Sequence, residues 1–146
     1  MSEIVVGFDG SQGGQKALEW AVAEARLRNT GVRVVYVIDR RYLDAEFGVL
    51  VAPPASELES EANLMVDQAV EALPDTAGVE IHKRVVHAQE HGVVGTLLDQ
   101  IEGDAQLLVV GSRGHGGFAG LLLGSVSHQI IQHAPCPVVV IPSRRN

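Results

Sequence analysis

The sequence predicts a doubly wound α/β protein: a five-stranded parallel sheet with helices on both faces. Three observations carry that prediction. Five short apolar runs punctuate the chain, segments of helical periodicity separate them, and the most unusual loops directly follow two of the runs. Repeated strand–helix alternation implies parallel strands joined by right-handed crossovers.

The first run, Ile4 to Phe8, ends at Asp9-Gly10-Ser11. Between Gln12 and Asn29 the residues Ala17, Leu18, Ala21, Val22 and Ala25 form a helical stripe, and Asn29-Thr30-Gly31 is a stop signal. The second strand is expected over Val32 to Ile38, the third over Val79 to Val86, the fourth over Ala105 to Val110 and the fifth over Val138 to Ile141. The second, fourth and fifth are almost continuously apolar, as strands covered on both faces are. Leu58, Ala62, Met65, Val66, Ala69 and Leu73 recur at helical spacing, as do Val94, Leu97, Leu98 and Ile101. A last helix is predicted from Ser125 to just before Pro135, carrying Ile130 and Ile131 inward. The long connection from Asp39 to Ser56, with Gly48, Pro53 and Pro54, reads as a mobile flap.

Bulk properties agree. The 146 residues are the usual size of one domain, and a single domain is predicted over 1–146. Aromatic residues make up only 4%, so Val, Leu, Ile and Ala must build the core. A net charge of −7 argues against a nucleic-acid partner, which calls for clustered Lys and Arg. A nucleotide is different, because backbone N–H groups hold phosphates without net positive charge. The lone Cys136, between Pro135 and Pro137, reads as a buried structural thiol. No targeting segment and no apolar run of about 20 residues is visible, so a cytoplasmic protein without membrane contact is expected.

Sheets of this type bind ligands outside the carboxyl ends of their strands, where the strand order reverses. After the fourth strand the chain reads VVGSRGHGGFAGLLLGSVS, with six glycines from Gly111 to Gly124 and Gly124-Ser125 opening the next helix. Glycine lets a ligand approach the main chain closely. The free N–H groups and dipole of a helix start favour an anion, and the Ser125 and Ser127 hydroxyls are expected as further donors. Arg113 is the cation placed to help. Other phosphate motifs fit poorly. Gly117-Phe118 stands where a Walker loop needs Lys-Ser or Lys-Thr, and the G-x-G-x-x-A match at Gly114, Gly116 and Ala119 follows the fourth strand.

IVVGFDGS at the start, ALEWA in the first helix, GSRGHGGFAGLLLGSVS and the closing APCPVVVIP together resemble the universal stress protein family. The G-x-x-G-x9-G-Ser pattern is similar to that of its ATP-binding branch. The resemblance implies a Rossmann-like fold and a loop that holds the triphosphate of ATP, with Mg2+, through Gly111, Gly114, His115, Gly116, Gly124, Ser125 and Val126. It also implies that Phe8, Asp9 and Gly10 lie beside the nucleotide, and that backbone groups near Val37 and Ile38 read the adenine edge. Asp9 has a second available role, capping the helix that follows it. Family members often carry a Gly and a Pro after the third strand, where this chain has His87-Ala88-Gln89-Glu90-His91.

The six histidines do not assemble a metal site by spacing: His87 and His91 straddle a strand end and a helix start, and His128 and His133 point in different directions. No nucleophile–base–orienter set emerges either, because Ser11, Ser112 and Ser125 are loop or cap serines. The expected function is therefore an ATP-binding signalling or stress-response module. The alternative is a slow ATPase or a phosphoryl- or adenylyl-transferring enzyme, for which Asp9, His115 and Arg113 are the available groups. Finally, the segment around the fifth strand, Pro137 to Pro142, reads as an apolar, uncharged edge, and the family resemblance points to a homodimer through it.

Overall fold

A computed structural model describes residues 2–39, 54–101, 105–112 and 124–142. Nine elements follow one another: β1 (Glu3–Phe8), α1 (Gln12–Arg28), β2 (Val32–Ile38), α2 (Ala55–Glu71), β3 (Ile81–His87), α3 (Gly92–Asp99), β4 (Ala105–Gly111), α4 (Ser125–His133) and β5 (Val138–Ile141). All strands are parallel, in the order β3-β2-β1-β4-β5. The chain thus winds outward from β1 in one direction, crosses back to β4 on the other side of β1, and finishes at β5.

Side chains alternate along each strand and divide the core between the two faces. Ile4, Val6, Val32, Val34 and Val109 pack with the Ala17, Leu18, Ala21, Val22 and Ala25 stripe of α1 and with Val66 and Ala69 of α2. Val5, Val35, Leu108 and Val110 face the other way, onto Leu97 and Ile101 at α3 and Ile130 of α4. Each fully buried Val, Leu or Ile is worth about 1.5–3 kcal/mol. Helix α1 ends as its sequence demands: Asn29 takes the left-handed conformation, φ 59°, and its N–H closes on Ala25 and Arg26 carbonyls.

Three expectations change at element ends. β3 begins at Ile81 rather than Val79, because Gly78 turns with φ +78° and the Val79 N–H closes that turn on Thr76. β4 runs on through Gly111. Of the two isoleucines expected to face inward from α4, Ile130 is buried, whereas Ile131, about 100° further round the helix, is 47% exposed. The four β5 residues contact both core faces yet stay half-buried, since nothing among the described residues pairs with their outer side. Cys136 is half-buried with them, and burial pushes its thiol pKa up. Residues 40–53, most of the expected flap, lie outside the described residues.

Candidate nucleotide crevice

Strand order reverses between β1 and β4, so the carboxyl ends of these two strands define the crevice where a doubly wound sheet binds ligands. Two helices start there. α1 follows β1 through Asp9-Gly10-Ser11, a turn made possible by Gly10 at φ 85°. The Asp9 carboxylate accepts the Ser11 N–H at 2.9 Å and the Ser11 hydroxyl. Ser11 Oγ in turn accepts the Gly14 N–H at 3.1 Å. Ser11, not Asp9, is therefore the N-cap of α1, and Asp9 ties the turn that presents it.

The end of β4 lies against this helix start. A Cβ on Gly111 would come within 2.9 Å of the Gly13 carbonyl carbon, so the two backbones touch with no room for a side chain. Ser112, 3% exposed, donates its N–H to the Ile141 carbonyl at 2.8 Å and accepts the Gly124 N–H at 2.6 Å. The two ends of the glycine-rich segment are thus clasped together at the strand terminus.

α4 starts from that clasp. Gly124 is its N-cap, with φ −73° and ψ 163°, and no side chain among the described residues caps the helix. Its first turn holds no acidic residue. The N–H groups of Ser125, Val126 and Ser127 therefore stand at a helix start without an intrahelical acceptor, and the helix dipole is positive there. Ser125 is exposed and Val126 is 44% exposed. The Ser127 hydroxyl, expected as a donor to phosphate, is engaged elsewhere: it donates to the Gly111 carbonyl at 2.6 Å from a residue only 4% exposed. A hydroxyl has a single hydrogen to donate, and in Ser127 it is spent on Gly111.

On the β2 side, Ile38 is buried and its carbonyl accepts the Ala88 N–H at 2.8 Å. Backbone polar groups alternate in direction along a parallel strand. Those of Val37 consequently turn toward the end of β1, whereas those of Ile38 serve β3. Phe8 and Tyr36 wall the opposite face with ring centroids 6.4 Å apart. Burial, and secondarily the Asp9 charge, raise the Tyr36 pKa above its ordinary value. Arg113, Gly114, His115 and Gly116 lie outside the described residues.

His91 and His87 each lie against a carboxylate. His91 Nε2 hydrogen-bonds Asp99 at 2.6 Å, and His87 Nε2 lies 3.3 Å from Glu59. Among the described residues no group of three or more His, Cys, Asp or Glu is arranged to hold a metal ion. Likewise, no helix among them is long and apolar enough to cross a membrane. The loop from Ala88 is tied down by Thr96, whose Oγ accepts the Gln89 N–H at 2.8 Å and donates to the Gly92 carbonyl at 2.7 Å. Sequence reasoning missed Gly13 as the partner of Gly111 and Ser112 as the clasp. The Gly13-Gly14 pair at the helix start was the signal for the first. For Ser112 the pattern held none.

A parallel doubly wound sheet, with a glycine floor and an uncapped helix start at its reversal point, is a Rossmann-like α/β fold with its ligand crevice at that point. The universal stress protein family matches residues 1–142, and the chain belongs to that family. Universal stress protein Mb2019 of Mycobacterium bovis is 36% identical over 95% of this chain. That match takes in 47% of the Mb2019 sequence, so the chain spans about half the length of such relatives. Among solved structures, hypothetical protein MJ0577 superposes with TM-score 0.77 at 23% identity, covering 100% of this chain and 99% of the other. The Archaeoglobus fulgidus universal stress protein in complex with dAMP gives 0.71 at 23% identity, covering 97% and 98%. A universal stress protein in complex with cAMP gives 0.59 at 25% identity, covering 96% of each chain.

Proposed function

We propose that this chain is an ATP-binding universal stress protein domain that acts as a nucleotide-dependent signalling or stress-response module in the cytoplasm. The observation that carries the reading is the uncapped start of α4, set against the Gly111–Gly13 floor at the sheet's reversal point. The dAMP and cAMP complexes of its structural neighbours support an adenine nucleotide. In this reading the N–H groups of Ser125, Val126 and Ser127 hold the phosphates, joined by Gly111, Arg113, Gly114, His115, Gly116 and Gly124 of the loop. Phe8, Asp9 and Gly10 flank the nucleotide, and the Val37 backbone meets the adenine edge, with Ile38 packing beneath it. Mg2+ accompanies the triphosphate and neutralises part of its charge, with Asp9 the neighbouring carboxylate. Binding is favoured over cleavage because the Asp9 carboxylate already accepts two hydrogen bonds from Ser11, which suits a turn-former better than a base that activates water.

Calorimetric titration of the chain with ATP and Mg2+ tests this. Saturable one-site binding is expected, and Gly114→Val is expected to abolish it while the circular dichroism spectrum stays native. Unchanged affinity in Gly114→Val contradicts the assignment. Single-turnover measurement with labelled ATP is expected to show binding without comparable release of phosphate.

We also propose a homodimer through β5 and its flanks, Pro137 to Pro142. The two sheet edges differ in a way that supports it. The β3 edge exposes His82, Lys83 and Arg84, charges that discourage strand pairing, whereas Val138–Ile141 carries none. Light scattering at micromolar concentration is expected to give a dimer mass, and a monomer mass contradicts it.

A further inference from the structure

Helix starts in proteins are commonly closed by a side chain of the N-cap residue. At α4 the N-cap is a glycine, and the nearest hydroxyl that is buried, Ser127 at the third helical position, points out of the helix. It reaches across to the last residue of β4 and donates to the Gly111 carbonyl at 2.6 Å. That carbonyl belongs to the residue whose backbone is already pressed onto Gly13. The Gly124 N–H meanwhile bonds to the Ser112 carbonyl at 2.6 Å. Two bonds therefore join the first turn of α4 to consecutive residues of one strand end, and each fixes the helix start relative to the crevice floor.

We propose that Ser127 is a positioning residue for the phosphates of the ligand, acting through the Gly111 carbonyl rather than by touching the ligand with its side chain. This inference rests on the nucleotide reading and deepens it. The hydroxyl removes one rotational freedom of α4 about the Gly124–Ser112 bond, so the three N–H groups stay aimed at one point. Hydrogen bonds to an anion weaken steeply as their angle departs from linear. Losing the tether therefore affects the phosphate-bearing ligand and spares the part of it that sits at β2.

Thr and Val at position 127 differ in little but the hydroxyl, so the full chain carrying Ser127→Thr or Ser127→Val makes the cleanest pair, with Ser127→Ala beside them. Affinities for ATP and for adenosine are measured by competition against a fluorescent adenine nucleotide, alongside thermal unfolding. Ser127→Thr is expected to bind ATP like the parent chain. Ser127→Val and Ser127→Ala are expected to lose about tenfold in ATP affinity, the scale of one hydrogen bond, with adenosine affinity unchanged. The proposal is overturned if the hydroxyl-lacking variants keep parental ATP affinity, or if they lose ATP and adenosine in equal proportion. A parent chain that binds neither ligand overturns the nucleotide reading itself, a result distinct from either of these.

Discussion

Two helices begin at the same crevice and begin differently. At α1 the start is closed from within: Ser11 caps Gly14, and the Asp9 carboxylate sits just ahead of it on the Ser11 N–H. At α4 the cap is Gly124, the first turn has no acidic residue, and the one buried hydroxyl serves Gly111 instead of the helix. Both helices present the positive end of a dipole. Of the two, α4 leaves that end without a compensating side chain among the described residues. The contrast separates a helix start that is satisfied from within from one that is left open, and under the proposed function the open one, at α4, takes the anion end of the ligand. Gly111 serves both, because its contact with Gly13 sets how closely the two starts approach.

Breaking that contact has the largest expected effect. Gly111→Val forces a Cβ to within 2.9 Å of Gly13 backbone. Such overpacking costs about 1–3 kcal/mol, read as a lower urea midpoint, together with loss of measurable ATP binding. Closing the open start comes next. Gly124 has extended backbone angles that any residue adopts, so Gly124→Asp builds a cap at α4. Stability is expected to rise by about 0.5–1 kcal/mol, while ATP affinity falls by calorimetry because a carboxylate now occupies the phosphate position. A substitution that stabilises the fold and weakens the ligand is hard to explain unless this start is kept open for an anion. Opening the closed start inverts the pattern: Ser11→Ala is expected to cost about 1 kcal/mol in chemical unfolding and to leave ATP affinity within about twofold.

The smallest effect belongs to the opposite end of the sheet, which is closed by charge rather than left open. There Glu3 pairs with Arg33 at 3.0 Å and with His82 at 2.8 Å, and the second nitrogen of His82 meets Glu80 at 2.8 Å. The hydrogen bond and charge of Glu3, followed by those of Glu80, raise the His82 pKa above its ordinary value. A folded-state pKa above the unfolded one means the contribution is full below about pH 6.5 and is lost as pH rises through the folded value. The stability difference between the parent chain and His82→Gln is therefore expected to shrink as chemical unfolding is repeated from pH 6 to pH 8. A difference that grows with pH contradicts the pairing.

Periodicity made most of this fold readable in advance. Five apolar runs and the alanine-rich stripe of α1 depend on local pattern, and each appears within two residues of where the pattern put it. What escaped depends on which neighbour arrives from elsewhere in the chain. Ile130 and Ile131 are equally apolar, and only the packing of α4 against α3 decides that one is buried and the other exposed. Ser11 and Asp9 are both good caps, and the Gly10 turn decides between them. Ser127 looks like one more phosphate donor until the Gly111 carbonyl is found within its reach. The crevice end of the sheet could be singled out from sequence because the positions of the turn residues and the glycine content are coarse features. The assignment of donors within it required the geometry.

Under the proposed function the open start of α4, rather than the capped start of α1, receives the phosphates. Titrating the isotopically labelled chain with ATP and Mg2+ while following backbone amide resonances measures this directly. The largest shifts are expected at the amides of Ser125, Val126 and Ser127, with smaller ones at Gly14 and Gln15. Shifts centred on Gly14 and Gln15, or none at the start of α4, contradict it.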